Sequence, residues 1–199
     1  IETWDTKDVD SILKSSAWSR IVDGHKMTDS FIGTISSPTS ISYTLRSALN
    51  VRYAIIRKRQ IEAGFDTMSA DKKAEFTEKN RALVDCPACE KYYVIIITCD
   101  CDLLRNPGLV RGREKNIYLS NDRGERRQLA NFTSISKSGV EATFYFPRFD
   151  NKGTPLIVAG DKKFTFNFEN RSNDDSAIRL LERLEFDVAA ITREGQVIF

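Results

Sequence analysis

Apolar residues recur at the spacing of one helix face near the start of the chain. They are Val9, Ile12, Leu13 and Ala17. This spacing predicts a short amphipathic helix over residues 7–17, because positions three and four apart share one face of a helix. Thr6 is its predicted N-cap, since a side-chain oxygen there accepts hydrogen bonds from the first free backbone N–H groups.

Two further helices are predicted from the residues at their ends. One covers residues 51–63, because Asn50 is a favourable N-cap and Gly64 is a typical residue at a helix end. The other covers residues 70–84, with Ser69 as its N-cap. These helices place most of the helical residues in the N-terminal part of the chain.

The rest of the chain has the period of β-strands. Ile41, Tyr43 and Leu45 alternate with polar residues, which predicts a half-buried strand. Residues 23–40 are rich in Gly, Ser and Thr, so we predict a loop there that contains at most a short strand. The later predicted strands are 92–99, 116–120, 127–133, 141–147, 162–169, 183–188 and 196–199.

This order of elements predicts an α+β fold in which N-terminal helices pack on an antiparallel β-sandwich or open barrel. A chain of 199 residues can bury one core of its own, so we predict a single domain over residues 1–199. It is helix-rich over residues 1–85 and strand-rich over residues 86–199. The longest apolar run, at residues 92–97, is far shorter than the roughly 18 residues of a transmembrane helix, so no transmembrane span is expected.

The four cysteines lie close together in the sequence, as the pairs Cys86/Cys89 and Cys99/Cys101. Paired cysteines are typical of zinc sites, so these four residues are the only candidate metal ligands. The run between the pairs has no turn-forming residue, however, and an extended chain of that length spans about 33 Å. A thioredoxin-type site is also disfavoured, because the first pair follows a predicted helix and precedes a strand. We therefore expect no metal site and interpret the cysteines as structural thiols or local disulfides.

Other motifs assign no catalytic residue. His25 is the only histidine, and its Gly-, Ser- and Thr-rich surroundings predict an exposed loop residue. The chain lacks a nucleophile-elbow motif and the glycine motifs that bind phosphates, so we expect no cofactor. A carboxylate pair of the glycosidase type stays open, because such pairs are assembled in space rather than in sequence.

Charged residues indicate one candidate surface for a partner. The net charge of +2 is small and gives little support for nucleic-acid binding. Segment 105–127 nevertheless has an excess of positive charge, which would suit an acidic partner. Its candidate residues are Arg105, Arg111, Arg113, Arg123, Arg126 and Arg127. A second set, interpreted as a solvated helix face, comprises Arg52, Arg57, Lys58 and Arg59.

One aromatic stripe has two interpretations. Phe164, Phe166 and Phe168 alternate with polar residues along a predicted strand. Exposed beside arginines, they would form a stacking platform for bases. We favour the other interpretation, in which alternate residues of the strand face the core.

Three groups of short motifs carry a resemblance to known proteins. They are Trp4, Val9–Leu13 and Ser16–Trp18; Tyr43–Ala48 and Val51–Arg52; and Phe146–Arg148, Gly153–Ile157 and Gly160–Phe166. Together they resemble a group of uncharacterised bacterial exported proteins and lipoproteins with a W…V…IL..SPW opening and an FPR…G.PLI…DKK..F.F core. The resemblance implies a periplasmic or cell-envelope protein whose N-terminal secretion or lipid-anchor segment precedes Ile1. It implies no activity and no catalytic residues.

We therefore expect an exported, non-enzymatic binding or cell-envelope-associated module whose partner is a protein or another envelope component. Two alternatives stay open. An extracellular hydrolase would need a cleft with two acidic side chains about 5–10 Å apart. A nucleic-acid-binding protein would use segment 105–127 and would need the phenylalanine stripe to be exposed.

Overall fold

The computed structural model of the protein describes residues 3–30, 33–99, 110, 112, 114–134, 141–169 and 183–199. These residues form an α+β fold with antiparallel sheets, which confirms the predicted fold class. No helix in this described part of the chain is both long and apolar enough to cross a bilayer.

The helices lie in the N-terminal part of the chain. They are α1 (Thr6–Lys14), α2 (Leu49–Glu62), α3 (Ala70–Asp85) and α4 (Pro87–Lys91), with 3-10 turns at Phe65–Thr67, Glu114–Asn116 and Ala189–Ile191. The strands are β1 (Ser19–Ser30), β2 (Gly33–Leu45), β3 (Tyr92–Cys99), β4 (Ile117–Asn121), β5 (Arg126–Gln128), β6 (Asn131–Ser134), β7 (Glu141–Pro147), β8 (Lys163–Phe168), β9 (Arg183–Asp187), β10 (Thr192–Arg193) and β11 (Gln196–Val197).

Two antiparallel sheets pack face to face as a sandwich. The five-stranded sheet has the order β1-β2-β3-β7-β6, and the four-stranded sheet has the order β5-β4-β8-β9. Phe166 of the four-stranded sheet contacts three rings of the other sheet. Its ring centroid lies 5.9 Å from that of Tyr43, 5.7 Å from that of Phe144 and 5.9 Å from that of Phe146. These contacts place Phe166 at the centre of the interface between the sheets.

The phenylalanine stripe of β8 is core. Phe164, Phe166 and Phe168 are fully buried, which confirms the interpretation of the alternating pattern. Burying a side chain of this size contributes about 1.5–3 kcal/mol. Ala48 and Val51 at the start of α2 belong to the same hydrophobic cluster. The helix-rich and strand-rich parts of the chain therefore share one core.

Helix α1 forms in the predicted region but ends at Lys14, three residues before its predicted end, and a different residue caps it. The carboxylate of Asp5 accepts hydrogen bonds from the backbone N–H groups of Lys7 and Asp8, at 2.7 and 2.9 Å. The predicted N-cap, Thr6, is the first helical residue. A carboxylate is the better cap here because its charge also complements the positive end of the helix dipole.

Helices α2 and α3 lie close to their predicted positions. α2 begins before Asn50, with the buried Ala48 at its N-cap, since anchoring Ala48 in the core sets the start of this helix. Gly64 has φ of 67° and follows the end of α2, as the sequence predicts. Ser69 precedes α3 at the predicted N-cap position, although its side chain makes no capping hydrogen bond.

The predicted loop over residues 23–40 is wrong. Strands β1 and β2 form a long antiparallel hairpin through this region, and His25 pairs with Pro38 within it rather than lying in a loop. Gly, Ser and Pro have low strand propensity, so local composition favours a loop. The end of β2, Ile41–Leu45, pairs with β3, and the hairpin continues outward from that fixed register.

The single predicted strand over residues 127–133 is also wrong. It is divided between β5 and β6, which belong to different sheets. The Leu129 N–H donates to the Ile117 carbonyl of the four-stranded sheet at 2.9 Å. The next N–H, of Ala130, donates to the Tyr145 carbonyl of the other sheet at 2.9 Å. An extended backbone that changes sheets gives no local sequence signal.

The C-terminal strands are shorter than predicted. β9 confirms the predicted strand at residues 183–188 to within one residue. β11 pairs with β10, which the sequence did not predict, around a turn at Glu194 and Gly195. The apolar residues Ile178, Leu180 and Leu181, whose spacing fits either a helix or a strand, lie outside the described residues.

Candidate functional site

A groove of about 860 Å³ lies on the outer face of the five-stranded sheet, under helices α2 and α3. Its floor consists of alternate residues of the three central strands, because successive side chains of a strand point to opposite faces. From β2, β3 and β7 these are Ser42, Thr44, Val94, Ile96, Thr98, Glu141, Thr143 and Tyr145. The residues between them, such as Tyr43 and Ile95, are buried in the sandwich core.

One face of helix α2 forms a wall of the groove. Its lining residues follow helical spacing and are Ile55, Lys58, Arg59 and Glu62. The rest of the lining comes from α1, β1 and the region around the end of α3, and comprises Leu13, Lys14, Ile21, Arg46, Ala82, Leu83, Cys86, Pro87 and Ala88. The groove thus has a floor on which the apolar Val94 and Ile96 lie among polar residues, a mainly charged α2 wall, and further apolar lining from α1, β1 and the end of α3.

A disulfide lies at one end of the groove. Cys86 and Cys89 are joined to each other, which confirms the local pairing that the turnless strand favoured. Cys86 adopts a left-handed backbone conformation with φ of 44° at the junction between α3 and α4. Helix α4, which begins between the two cysteines, contains Cys89 and leads into β3, was not predicted. Cys99 is also disulfide-bonded, and Cys101 lies outside the described residues.

The disulfide removes two of the four candidate metal ligands in the oxidised protein. Cys86 and Cys89 supply no thiolate in this oxidised form, since both sulfur atoms are used by the bond. In the parts of the chain that the structure describes, no group of three or more His, Cys, Asp or Glu side chains could hold a metal ion.

Two arginines hold the C-terminal end of helix α3 against the body of the protein. Nη2 of Arg46 donates to the Leu83 carbonyl at 3.0 Å, and Nη1 of Arg52 donates to the Val84 carbonyl at 2.6 Å. Arg52 also reaches the Asp85 carbonyl at 3.3 Å. The last carbonyls of a helix have no partner within the helix, and a cation there complements the helix dipole. These bonds position the wall of the groove that α3 provides.

The predicted solvated face on α2 is wrong for two of its residues. Arg52 and Arg57 are buried, whereas Lys58 and Arg59 are exposed as predicted. Arg57 makes two hydrogen bonds to the Asp66 carboxylate, at 2.8 and 2.9 Å. These partners are distant in the sequence, so charge periodicity alone could not show that the arginines are buried.

Positive charge exceeds negative charge in the groove. The cations are Lys14, Arg46, Lys58 and Arg59, and the carboxylates are Glu62 and Glu141. Lys14 is paired with Asp10 at 2.8 Å, and Nη1 of Arg59 donates to Oδ1 of Asn80 at 3.1 Å. Within the described ranges, neither Arg46 nor Lys58 forms a salt bridge. Three of the four cations, Arg46, Lys58 and Arg59, are therefore without a salt bridge to a carboxylate in the described structure.

The environment of Arg46 disfavours its charged form. Burial lowers the pKa of the Arg46 guanidinium, and the charges of Arg52 and Arg59 lower this pKa further. Glu141 acts in the opposite direction. Arg46 stays protonated at neutral pH, since guanidinium groups do not deprotonate in proteins. The result is a half-buried cation at the edge of an apolar surface.

The predicted partner arginines lie elsewhere. Arg123 pairs with Asp161 and with Glu125, the latter at 2.9 Å. Arg126 lies over the Tyr118 ring, 4.6 Å from its centroid. Arg127 donates to the Thr154 carbonyl at 3.0 Å, while Arg105, Arg111 and Arg113 lie outside the described residues. The three described arginines make contacts within the protein and do not line the groove.

The structure argues against the nucleic-acid-binding alternative and leaves the hydrolase alternative untested. Burial of the β8 phenylalanines removes the stacking platform that a nucleic-acid-binding protein would use. The groove contains Glu62 on α2 and Glu141 on β7, but no described feature selects them as a hydrolase pair. That alternative stays a prediction.

The groove was not predicted from the sequence, although one sequence pattern indicated it. Every residue from Tyr92 to Ile97 is apolar, which is typical of a strand covered on both faces. Tyr92, Val94 and Ile96 are the members of this run that face away from the sandwich core, and Val94 and Ile96 line the groove. The apolar residues on the outer face of β3 therefore indicated a surface that the helices partly cover.

Comparisons of the chain with protein families, with curated proteins and with solved structures found no match.

Proposed function

We propose that this protein is a non-enzymatic binding module of the periplasm or cell envelope, and that its ligand binds in the groove beneath α2 and α3. The observation that carries the proposal is the apolar part of the lining, which Ile96 provides on the floor and Ile55 and Leu83 provide above it. Ile96 is only half-buried on the outer face of a central strand, where the helices leave an open volume above it. A volume of about 860 Å³ lies within the range of small-ligand sites, about 300–1,000 Å³.

The chemistry of the lining favours binding over catalysis. Apolar side chains from both layers, Ile55, Leu83 and Ile96, offer contact area, and the threonine hydroxyls of the floor offer a few hydrogen bonds. Small-ligand sites commonly have this composition, in which the apolar surface gives affinity and sparse polar groups fix orientation.

The proposed compartment rests on the oxidised cysteines. Cys86 and Cys89 are disulfide-bonded, and Cys99 is disulfide-bonded as well. Disulfides persist in exported proteins and are rare in the reducing cytoplasm. The resemblance to exported proteins and lipoproteins favours the same compartment.

Binding in the groove is tested with an uncharged apolar dye, N-phenyl-1-naphthylamine, whose fluorescence rises when it leaves water. We expect saturable binding to one site. Replacing the floor residue, in Ile96→Gln, weakens binding by about tenfold, because an amide group cannot be buried against the dye without loss of hydration. Ile61→Gln is the matched control, since Ile61 is also half-buried, does not line the groove and lies outside the two hydrophobic clusters.

The outcomes of this titration are decisive. Unchanged circular dichroism of both variants shows that the substitutions act locally. Binding that is lost in Ile96→Gln and kept in Ile61→Gln supports the proposal. A folded wild-type protein that binds no dye, or two variants that lose binding equally, contradicts it.

The proposed compartment has a separate test. Cells that express the natural full-length gene product are fractionated, and each fraction is denatured in the presence of a maleimide, so that buried free thiols are labelled as well as exposed ones. We expect the protein in the periplasmic or membrane fraction, with Cys86 and Cys89 unlabelled. Recovery in the cytoplasm with both thiols labelled would contradict an oxidising location.

A further inference from the structure

Arg46 differs from the other arginines that pack near α2. Arg57 is neutralised by two hydrogen bonds to Asp66, and Arg52 is used to bind the carbonyls that end α3. Among the described residues, the side chain of Arg46 makes one bond, from Nη2 to the Leu83 carbonyl, and it also lines the groove. A guanidinium has five N–H donors, so most of the donors of Arg46 are free to bind a ligand.

The electrostatic state of Arg46 favours an incoming anion. Burial and the charges of Arg52 and Arg59 lower the pKa of the Arg46 guanidinium, which means that its positive charge is poorly compensated. An anion bound at Arg46 would offset this cost and would form charge-assisted hydrogen bonds, which are stronger than neutral ones. Lys58 and Arg59, on the facing wall of α2, add to the same attraction.

An apolar surface adjoins this cation. Leu83, whose carbonyl accepts from Arg46, lines the groove, as do Ile55 and Ile96. Tyr145 extends this apolar surface, and its ring packs edge-to-face against Tyr92 at a centroid distance of 6.0 Å. A ligand that used both features would need an anionic end and an apolar body.

We propose that the groove binds a single-chain amphiphile with a carboxylate head, of the fatty-acid class, with the head at Arg46 and the chain against Ile55, Leu83 and Ile96. This inference rests on the function proposed above and names its ligand class. Planar carboxylates match the fork of a guanidinium in a bidentate manner. A singly charged head also suits the modest excess of cations, since Glu62 and Glu141 line the same groove and would repel a doubly charged phosphate. A volume of about 860 Å³ fits one chain of drug-like size.

The test compares ligands that share one chain and differ in the head. Dodecanoate, 1-dodecanol, dodecyl phosphate and dodecyltrimethylammonium are titrated below their micelle concentrations, with displacement of the naphthylamine dye as the readout. We expect dodecanoate to bind most tightly and the cationic ligand most weakly. If the dye binds but dodecanol equals dodecanoate, the ligand class is wrong and the binding function stands; tighter binding of dodecyl phosphate would also overturn the carboxylate head.

Variants then identify the residue that binds the head. Arg46→Gln is expected to weaken dodecanoate binding by about tenfold and leave dodecanol binding unchanged, because one charge-assisted contact is lost. Arg81→Gln is the matched control, since Arg81 lies on α3, is exposed and does not line the groove. Equal loss for both ligands, or equal effects of both variants, would overturn the role of Arg46.

A second variant keeps the inference testable if Arg46→Gln fails to fold. Glu141→Gln removes the carboxylate whose charge acts on Arg46, without touching the bond from Arg46 to Leu83. We expect dodecanoate to bind about two- to fivefold more tightly to this variant, with dodecanol unchanged. Dodecanoate affinity that stays the same or falls in Glu141→Gln would contradict a head group bound at Arg46.

Discussion

The guanidinium of Arg46 donates to the Leu83 carbonyl at 3.0 Å and so ties the residue that follows β2 to the last turn of α3. Arg52 makes the same kind of bond to the next carbonyl, of Val84, at 2.6 Å. Each bond connects residues more than thirty positions apart in the chain. Together they hold the C-terminal end of α3 over the sheet, and so they fix the position of one wall of the groove.

Removing the Arg52 bonds should destabilise the fold. Arg52→Met keeps the aliphatic bulk but leaves the Val84 and Asp85 carbonyls without this donor, which costs about 1.5–3 kcal/mol in the free energy of unfolding. Urea denaturation measures the change. Arg81→Met on the exposed side of α3 is the control and should change stability by less than about 0.5 kcal/mol. Equal stability of the two variants would show that the buried bonds contribute little.

Phe166 should be among the most sensitive positions of the core. It is fully buried against Tyr43, Phe144 and Phe146, so Phe166→Ala is expected to cost about 3–5 kcal/mol in the free energy of unfolding. Phe149→Ala provides the comparison, because Phe149 is 45% exposed, and its cost should stay below about 1 kcal/mol. Similar losses in the two variants would contradict the packing of the two sheets around Phe166.

The disulfide should contribute modestly to stability, because it closes a short loop. Cys86 and Cys89 are separated by three positions, for which the chain-entropy relation gives about 2 kcal/mol. The double variant Cys86→Ala/Cys89→Ala should lose this amount in urea denaturation. Cys86→Gly/Cys89→Ala should be about 1 kcal/mol more stable than that variant, since position 86 has φ of 44° and glycine adopts this conformation without steric cost. The reverse order would show that the left-handed conformation is not kept without the disulfide.

The ion pair between Arg57 and Asp66 should appear in the pH dependence of stability. A hydrogen bond from Arg57 lowers the pKa of the Asp66 carboxyl from its ordinary value of 3.8. A lowered folded-state pKa stabilises the protein above the unfolded value, and this contribution is lost as the pH falls through the folded value. The free energy of unfolding of the wild type should therefore fall more steeply below about pH 4 than that of Asp66→Asn.

Comparing the two proteins isolates the Asp66 contribution, because all other carboxylates are shared. Urea titrations at several pH values between about 6 and 2 give the difference in unfolding free energy. The expected difference is constant above about pH 5 and shrinks in acid. A difference that is independent of pH would mean that the carboxylate is not stabilised in its ionised form.

Much of the fold could be predicted from local patterns. The strands Tyr92–Cys99 and Glu141–Pro147 occur at the predicted bounds, and Phe164, Phe166 and Phe168 face the core as their alternation predicted. These elements are predictable because strand and helix periods reflect which side of each element is buried. Errors occurred where the local signal was weak or absent, as in the polar hairpin of β1 and β2 and in the change of sheet between Leu129 and Ala130.

The candidate site was decided almost wholly by tertiary structure. The sequence by itself determined that Val94 and Ile96 are apolar and that Arg46 is basic, but not that they border the same groove. Their meeting depends on the pairing of β2 with β3 and on the arginine bonds to the end of α3, which join distant parts of the chain. Periodic patterns record which face of an element is buried, whereas the residues that share a groove are set by how whole layers pack.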